Sequence, residues 1–228
     1  MGYYRAGFDV VGVDIKPQPR YPFTFYQADA MEFLMTEQLW TATTRLWLTD
    51  FDAIHASPPC QAFTQASAKH RGRGGLADER VDLLTPTRAR LSRVRIPWVI
   101  ENVVGAARHM QGVLLHGGMF GLGTHRARLF ESNVLLLRTR TPRGPQGLGV
   151  YGKAPDGRTL NFASKQRAPR SLEEARAAMG IDWMEWDELK EAVPPAYTEF
   201  IGWQLIRACQ DSGIVRVPLS NAMAQSEP

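Results

Sequence analysis

Residues 58 and 59 are consecutive prolines, set directly behind the largely apolar run Phe51-Asp52-Ala53-Ile54-His55-Ala56. A proline ring fixes its own φ and pushes the residue before it out of the helical region, so Ser57-Pro58-Pro59-Cys60 is a rigid turn whatever surrounds it. The run in front has the length and apolar character of a buried strand. Cys60 therefore stands behind the carboxyl end of a strand, the edge at which open α/β sheets bind ligands. Taken alone, the turn carries no chemistry, because a free cysteine is ordinarily a small buried hydrophobe and reacts only where its surroundings favour the thiolate.

Further segments repeat the arrangement. Pro97-Trp98-Val99-Ile100 predicts a second apolar strand, ending in Glu101-Asn102-Val103. Thr124-His125-Arg126-Ala127-Arg128-Leu129-Phe130 carries two arginines on alternate residues of an extended run, a spacing that sends both to one side. Upstream, Val10-Val11-Gly12-Val13 predicts a strand closed by Asp14, and Phe23 to Ala28 another, followed by Asp29. One such acid alone is a helix cap or loop residue, whereas two at successive strand ends favour contact with a nucleotide-like cofactor.

Between the strands lie helical patterns. Met31 to Trp40 offers Phe33, Leu34 and Leu39 to a core, and Thr85 to Arg95 leads into the Glu101 strand by a right-handed crossover. Ser171-Leu172-Glu173-Glu174 is a capping-box pattern that starts a helix which Gly180 ends. Ala196 to Gln210 predicts a last helix with Phe200, Ile201, Leu205 and Ile206 inward. Trp183 and Trp186 read as packing anchors, Cys209 as structural, and Val217 to Pro228 as a tail. The turn His116 to Leu122 is glycine-rich but lacks the Lys and Ser/Thr of a phosphate-binding loop, so it reads as structural. The sum is an α/β chain.

At 228 residues there is room for one buried core and a small appended module. No apolar run approaches the roughly 18 residues of a membrane helix, and no signal peptide is present, so an intracellular protein is expected. Two cysteines make no disulfide framework, and none of the five histidines has zinc-type spacing with them, so no metal is expected. From Arg138 to Arg170 eight cations face one acid, a local +7 within a chain of net +4, which leaves about −3 elsewhere. So concentrated an excess reads either as a docking surface for phosphates or as a solvated, partly disordered segment.

Thiol, carboxyl and paired arginines in this order, each behind its own strand, resemble the ordered motifs of the C5-cytosine DNA methyltransferases: a Pro-Cys loop, Glu-Asn-Val, and Gln-x-Arg-x-Arg. Pro194-Pro195-Ala196-Tyr197-Thr198-Glu199-Phe200-Ile201-Gly202 resembles the closing segment of their compact bacterial and phage-type members. The resemblance implies a Rossmann-like, S-adenosyl-L-methionine-dependent sheet in residues 1–132, a short target-recognition insert in 133–170, helices returning to the catalytic domain in 171–216, and a tail in 217–228. It further implies a cytoplasmic monomer of a bacterium or phage-infected host, acting in DNA methylation or restriction-modification.

By the same resemblance Cys60 adds to C6 of a flipped cytosine in double-stranded DNA, Glu101 shares a proton with the ring, Asn102 positions Glu101, Arg128 holds the carbonyl oxygen and Arg126 scaffolds. Asp14, Ile15, Asp29, Ala30 and Pro58 contact the cofactor, Asp14 at the ribose and Asp29 at the adenine amino group. DNA contacts fall to Gln61, Lys69, Arg71 and Arg73 in and before a glycine-rich closing loop, and to Arg138, Arg140, Lys153, Arg158 and Lys165 in the insert.

There are two departures. Thr124 stands where the family has glutamine, and the family's first strand and glycine-rich cofactor loop are missing ahead of Gly2. Either the chain as given starts at an internal methionine, which is the expectation, or the natural product is crippled. The absent strand is central in the family, so its loss leaves unpaired backbone on both neighbours. Among rivals, amino-group methyltransferases carry Tyr or Phe where Cys60 stands. An RNA C5-methyltransferase shares the covalent logic, and a non-catalytic DNA-binding remnant shares the surface.

Overall fold

The computed structural model describes residues 1–41, 44–59, 82–139, 147–152 and 166–211. Cys60, Gln61, Lys69, Arg71, Arg73, Arg140, Lys153, Arg158, Lys165 and the expected tail lie outside the described residues.

The described chain is mixed α/β. In order it runs α1 (Gly2–Ala6), β1 (Val11–Asp14), β2 (Thr24–Gln27), α2 (Ala30–Thr36), β3 (Gln38–Trp40), β4 (Arg45–Trp47), β5 (Ile54–Ala56) and α3 (Leu84–Leu91). There follow β6 (Trp98–Val103), β7 (Val113–Leu115), β8 (Arg128–Ser132), α4 (Leu172–Met179), α5 (Trp186–Leu189) and α6 (Pro195–Asp211). The largest sheet has the order β5-β6-β8-β7, with β5 and β6 parallel and β8 antiparallel to both β6 and β7. β1 and β2 form a separate parallel pair, and β3 and β4 an antiparallel one.

Strand β6 is the spine. It is buried from Trp98 to Asn102, and alternate residues serve opposite faces, as a pleat requires. Trp98 and Ile100 join Phe33 and Leu34 of α2 and Leu84 and Leu91 of α3 in one cluster. Val99 joins Leu115, Phe130 and the α6 residues Tyr197, Ile201 and Leu205 in a second. Helices thus cover both faces of the sheet. Helix α6 approaches α1 at glycines: a β-carbon on Gly202 would stand 2.6 Å from Ala6 Cβ, and one on Gly2 would stand 2.1 Å from the Pro195 carbonyl. Cys209 is buried on α6, its thiol donating to the Asp52 carbonyl at 3.4 Å, a packing role as expected.

A third cluster draws Leu148 and Val150 together with Ala175, Ala178, Met179, Ile181 and Leu189, with Trp183 and Trp186 packed against it. The boundary expected at residue 170 runs through this cluster. Helix α4 begins where the capping pattern put it, Ser171 Oγ accepting from the Glu174 amide at 3.2 Å. The Glu174 carboxylate reaches back one residue further than in a capping box, to the Arg170 amide at 2.5 Å. Gly180 ends the helix in the left-handed region, at φ 66.

Two expectations are corrected. The helix predicted over residues 31–40 stops at Thr36, because Glu37 takes φ 59 and the Thr36 hydroxyl bridges the carbonyls of Glu32 and Gln38. The rest becomes β3, whose Trp40 lies with Trp47 of β4 against the Arg45 guanidinium, 4.4 and 3.9 Å from the ring centroids. Cross-strand stacking overrides the helical pattern there. The second correction concerns 124–130: Arg126 has φ 30 and the strand begins only at Arg128, so the two arginines do not share one extended run.

Among the described residues β1 is bonded on one side only, by β2, and β5 on one side only, by β6. No described helix is long and apolar enough to cross a membrane, and no described group of His, Cys, Asp or Glu is suited to hold a metal ion.

Candidate active site

Parallel pairing of β5 with β6 sets Ile54, His55 and Ala56 beside Trp98, Val99 and Ile100. Extending that register by one residue brings Ser57, the first residue of the double-proline turn, beside Glu101. The two groups meet: the Glu101 carboxyl accepts a hydrogen bond from Ser57. Glu101 is 6% exposed, and burial raises its pKa above the ordinary carboxyl value against the opposing pull of Arg128, Ser57 and Arg126.

Arg128 and Glu101 are diagonal neighbours on adjacent antiparallel strands, Glu101 standing opposite Phe130 and Arg128 opposite Val103. Arg128 Nε lies 2.9 Å from Glu101 Oε1. The pair is ionic, but its alignment leaves that buried oxygen without a well-formed hydrogen bond. The neighbouring Asn102, 1% exposed, turns away from the carboxyl expected to be its partner. Its Nδ2 donates to the Pro58 carbonyl at 3.0 Å and its Oδ1 accepts from the Val103 amide at 2.9 Å. It thereby ties the proline turn to the end of β6.

Arg126 is buried and spends its guanidinium on backbone. It donates to the carbonyls of Ala192 at 2.7 Å, Val150 at 2.5 Å and Lys190 at 2.6 Å, which joins three segments. Thr124 adds a fourth tie, Oγ1 to the Leu148 carbonyl at 2.8 Å. The unusual backbone at Arg126 is braced by the buried Tyr197 hydroxyl, which donates to the carbonyls of Arg126 at 3.1 Å and His125 at 3.3 Å. Arg128 is therefore left facing Glu101 while Arg126 acts as scaffold.

The two acids expected at a cofactor lie at neighbouring strand ends, Asp14 paired with Gln27 in register and its carbonyl accepting the Ala28 amide. Asp29 is the cap of α2, its Oδ1 accepting from the amides of Met31 at 2.8 Å and Glu32 at 3.3 Å, while Oδ2 takes no partner among the described residues. Asp14 accepts from the Lys16 amide at 2.8 Å and, weakly, from Gln18 Nε2 at 3.4 Å. Beside them Ile15 is 64% exposed, and Ala30 is exposed too. Spare carboxylate lone pairs next to an uncovered aliphatic side chain suit a nucleoside, whose hydroxyls and amino group donate and whose base presents an apolar face. Of the expected DNA-contacting residues only Arg138 is described, and it is exposed.

Sequence reasoning named no role for Tyr3, His55, Ser57 or Tyr197. His55 and Ser57 carried a signal, since two polar residues on alternate positions of an apolar strand face one way. Tyr3 carried none, because its proximity depends on how α1 packs. Comparison with known proteins adds nothing to the geometry: no family model matches the chain, and no curated protein matches it.

Proposed function

We propose that the chain transfers a methyl group from S-adenosyl-L-methionine to C5 of a cytosine swung out of double-stranded DNA. On this reading β1–β2 and the four-stranded sheet are parts of one Rossmann-like sheet. The observation that carries the proposal is the buried Glu101 carboxyl, paired with Arg128 and adjoining the Ser57-Pro58-Pro59 turn that leads directly to Cys60. A thiol and an acid at neighbouring ends of parallel strands are what addition across a pyrimidine needs.

Cytosine C5 is too weak a nucleophile to take a methyl group unaided. The Cys60 thiolate forms a bond to C6, and the displaced π electrons move into the ring toward N3. Glu101 delivers its proton there, which leaves a neutral, enamine-like C5. Its raised pKa keeps that proton available at higher pH than an ordinary carboxyl would. Arg128 then faces both the ionised carboxylate and the cytosine carbonyl oxygen. S-adenosylmethionine, when bound, supplies the methyl group as an electrophile, held between Asp14, Asp29, Ile15 and Ala30 with Pro58 adjacent. Loss of the C5 proton expels the thiolate, and Glu101 recovers its proton from N3. Swinging the base out costs a few kcal/mol, offset by phosphate contacts from Arg138 and the other cations of the basic segment, so binding weakens steeply with salt.

The test is covalent trapping with duplexes carrying 5-fluorocytosine in randomised sequence context, in the presence of S-adenosylmethionine. Fluorine at C5 cannot leave as a proton, so an adduct that survives denaturation is expected. It should vanish in Cys60→Ser and form at least about 100-fold more slowly in Glu101→Gln, the usual worth of a positioned acid. Equal trapping by Cys60→Ser, or none by the unaltered chain in any context, rejects the reading.

A further inference from the structure

Behind Glu101 lies a hydrogen-bonded series that the chemistry above does not use. The Tyr3 hydroxyl on α1 is 2.7 Å from His55 Nδ1, His55 Nε2 is 2.9 Å from Ser57 Oγ, and Ser57 bonds to Glu101. Each hydrogen in it can be placed. An ionised carboxylate has none, so the bond to Glu101 uses the serine hydrogen. Ser57 Oγ then accepts from His55 Nε2–H, which leaves Nδ1 bare to accept from the tyrosine. One tautomer of a neutral His55 satisfies every contact. Burial supports that state, pushing the imidazole down to about 4 and the Tyr3 hydroxyl well above its ordinary range. The charged groups facing the carboxyl among the described residues are Arg128 from β8 and Arg126 ahead of it.

We propose that Ser57, fixed by His55 and Tyr3, is a positioning residue for the Glu101 proton: its hydroxyl donates to the ionised carboxylate and, by rotation about its own C–O bond, accepts from the protonated one. His55 donates to the same serine oxygen in both states, so the oxygen stays in place while only its hydrogen moves. No proton leaves the series. The only one transferred passes between Glu101 and its partner, which is cytosine N3 if the reaction above is correct, and that identification alone rests on it. The carboxyl oxygen that meets Ser57 is thus spared an unpaired lone pair in one state and an unpaired hydrogen in the other, either of which is costly at a buried site.

The test is a carboxyl-carbon NMR titration of the full chain, with the Glu101 signal identified by its loss in Glu101→Gln. Ser57→Ala removes the donor to the charged form and the acceptor of the protonated one; the bond to the charged form is the stronger, so Glu101 should bind its proton about tenfold more tightly, the scale of the difference between the two. Tyr3→Phe frees the tautomer of His55 but keeps the hydroxyl, so a smaller change of the same sign is expected. Ser57→Thr keeps the hydroxyl and should titrate as the unaltered chain does. Coincident titration of Ser57→Ala and the unaltered chain overturns the proposal, as does Ser57→Thr moving as far as Ser57→Ala. A titration that moves as expected in a protein that never traps the fluorinated duplex supports the series and rejects the reaction.

Discussion

Arg126 donates to three backbone carbonyls, while its neighbour Arg128 makes the ion pair with Glu101. A planar fork with several fixed N–H directions can reach three acceptors at once, and an ammonium on a flexible stem cannot. Arg126→Lys should therefore destabilise the chain by about 3 kcal/mol in urea unfolding, since it strands buried carbonyls while keeping the charge. His55 gives a pH signature. Its pKa is depressed from the ordinary 6.5 to about 4, so the stability it contributes is present above 6.5 and lost as pH falls through about 4. Glu101 acts in the opposite sense: its pKa is raised, so its contribution is present at low pH and lost as pH rises through the folded value. Thermal melts should show the chain losing stability from pH 6.5 toward 4, and His55→Gln, which has no proton to gain there, should show a shallower decline. Roles at this scale were partly legible. Glu101 and Asn102 stand out as polar residues ending an apolar strand. The real partner of Asn102, the Pro58 carbonyl, was hidden because it belongs to another strand's turn.

Among the elements, α1 and α6 pack helix against helix through small residues. They meet where Gly202 leaves no room for a β-carbon, with Ala6 Cβ at 2.6 Å and Tyr3 Cδ1 at 3.1 Å from where it would stand. Gly202→Val must push α1 outward, at an overpacking cost of about 1–3 kcal/mol in chemical denaturation. Because Tyr3 rides on α1, the same change should pull its hydroxyl off His55, visible as loss of the Tyr3–His55 contact in a variant structure. Local signals placed most elements well. Gly180 and Ser171 bound α4, and the apolar runs at Val11, Ile54 and Trp98 became β1, β5 and β6. Where the reading failed, a long-range partner was responsible. The pattern over 31–40 is helical, but Trp40, Arg45 and Trp47 stack across a hairpin that no spacing within 31–40 reveals.

Across the whole molecule, burial is uneven. Strand β6 is enclosed on both faces and bonded along both edges, whereas β1 and β2 are half-buried and bonded to each other alone among the described residues. Native-state hydrogen exchange should separate them: amides of β6 and β8 should exchange only through global unfolding, and those of β1 and β2 through local opening at a much lower free energy. Equal protection in both would mean that the small pair and the large sheet open as one unit.

The amino-acid sequence by itself determined the rigid turn at Pro58-Pro59, the strand ends that carry Asp14 and Glu101, and the caps of α4, because each depends on neighbours a few residues away. Only the tertiary structure decided that Tyr3, His55, Ser57 and Glu101 form one hydrogen-bonded series, that Arg126 donates to the carbonyls of Val150, Lys190 and Ala192, and that the expected helix breaks at Glu37. The reason is physical. Strand register and helix docking are chosen by burial summed over residues far apart in the chain, and a hydrogen bond of 2.7 Å exists only once that choice has been made.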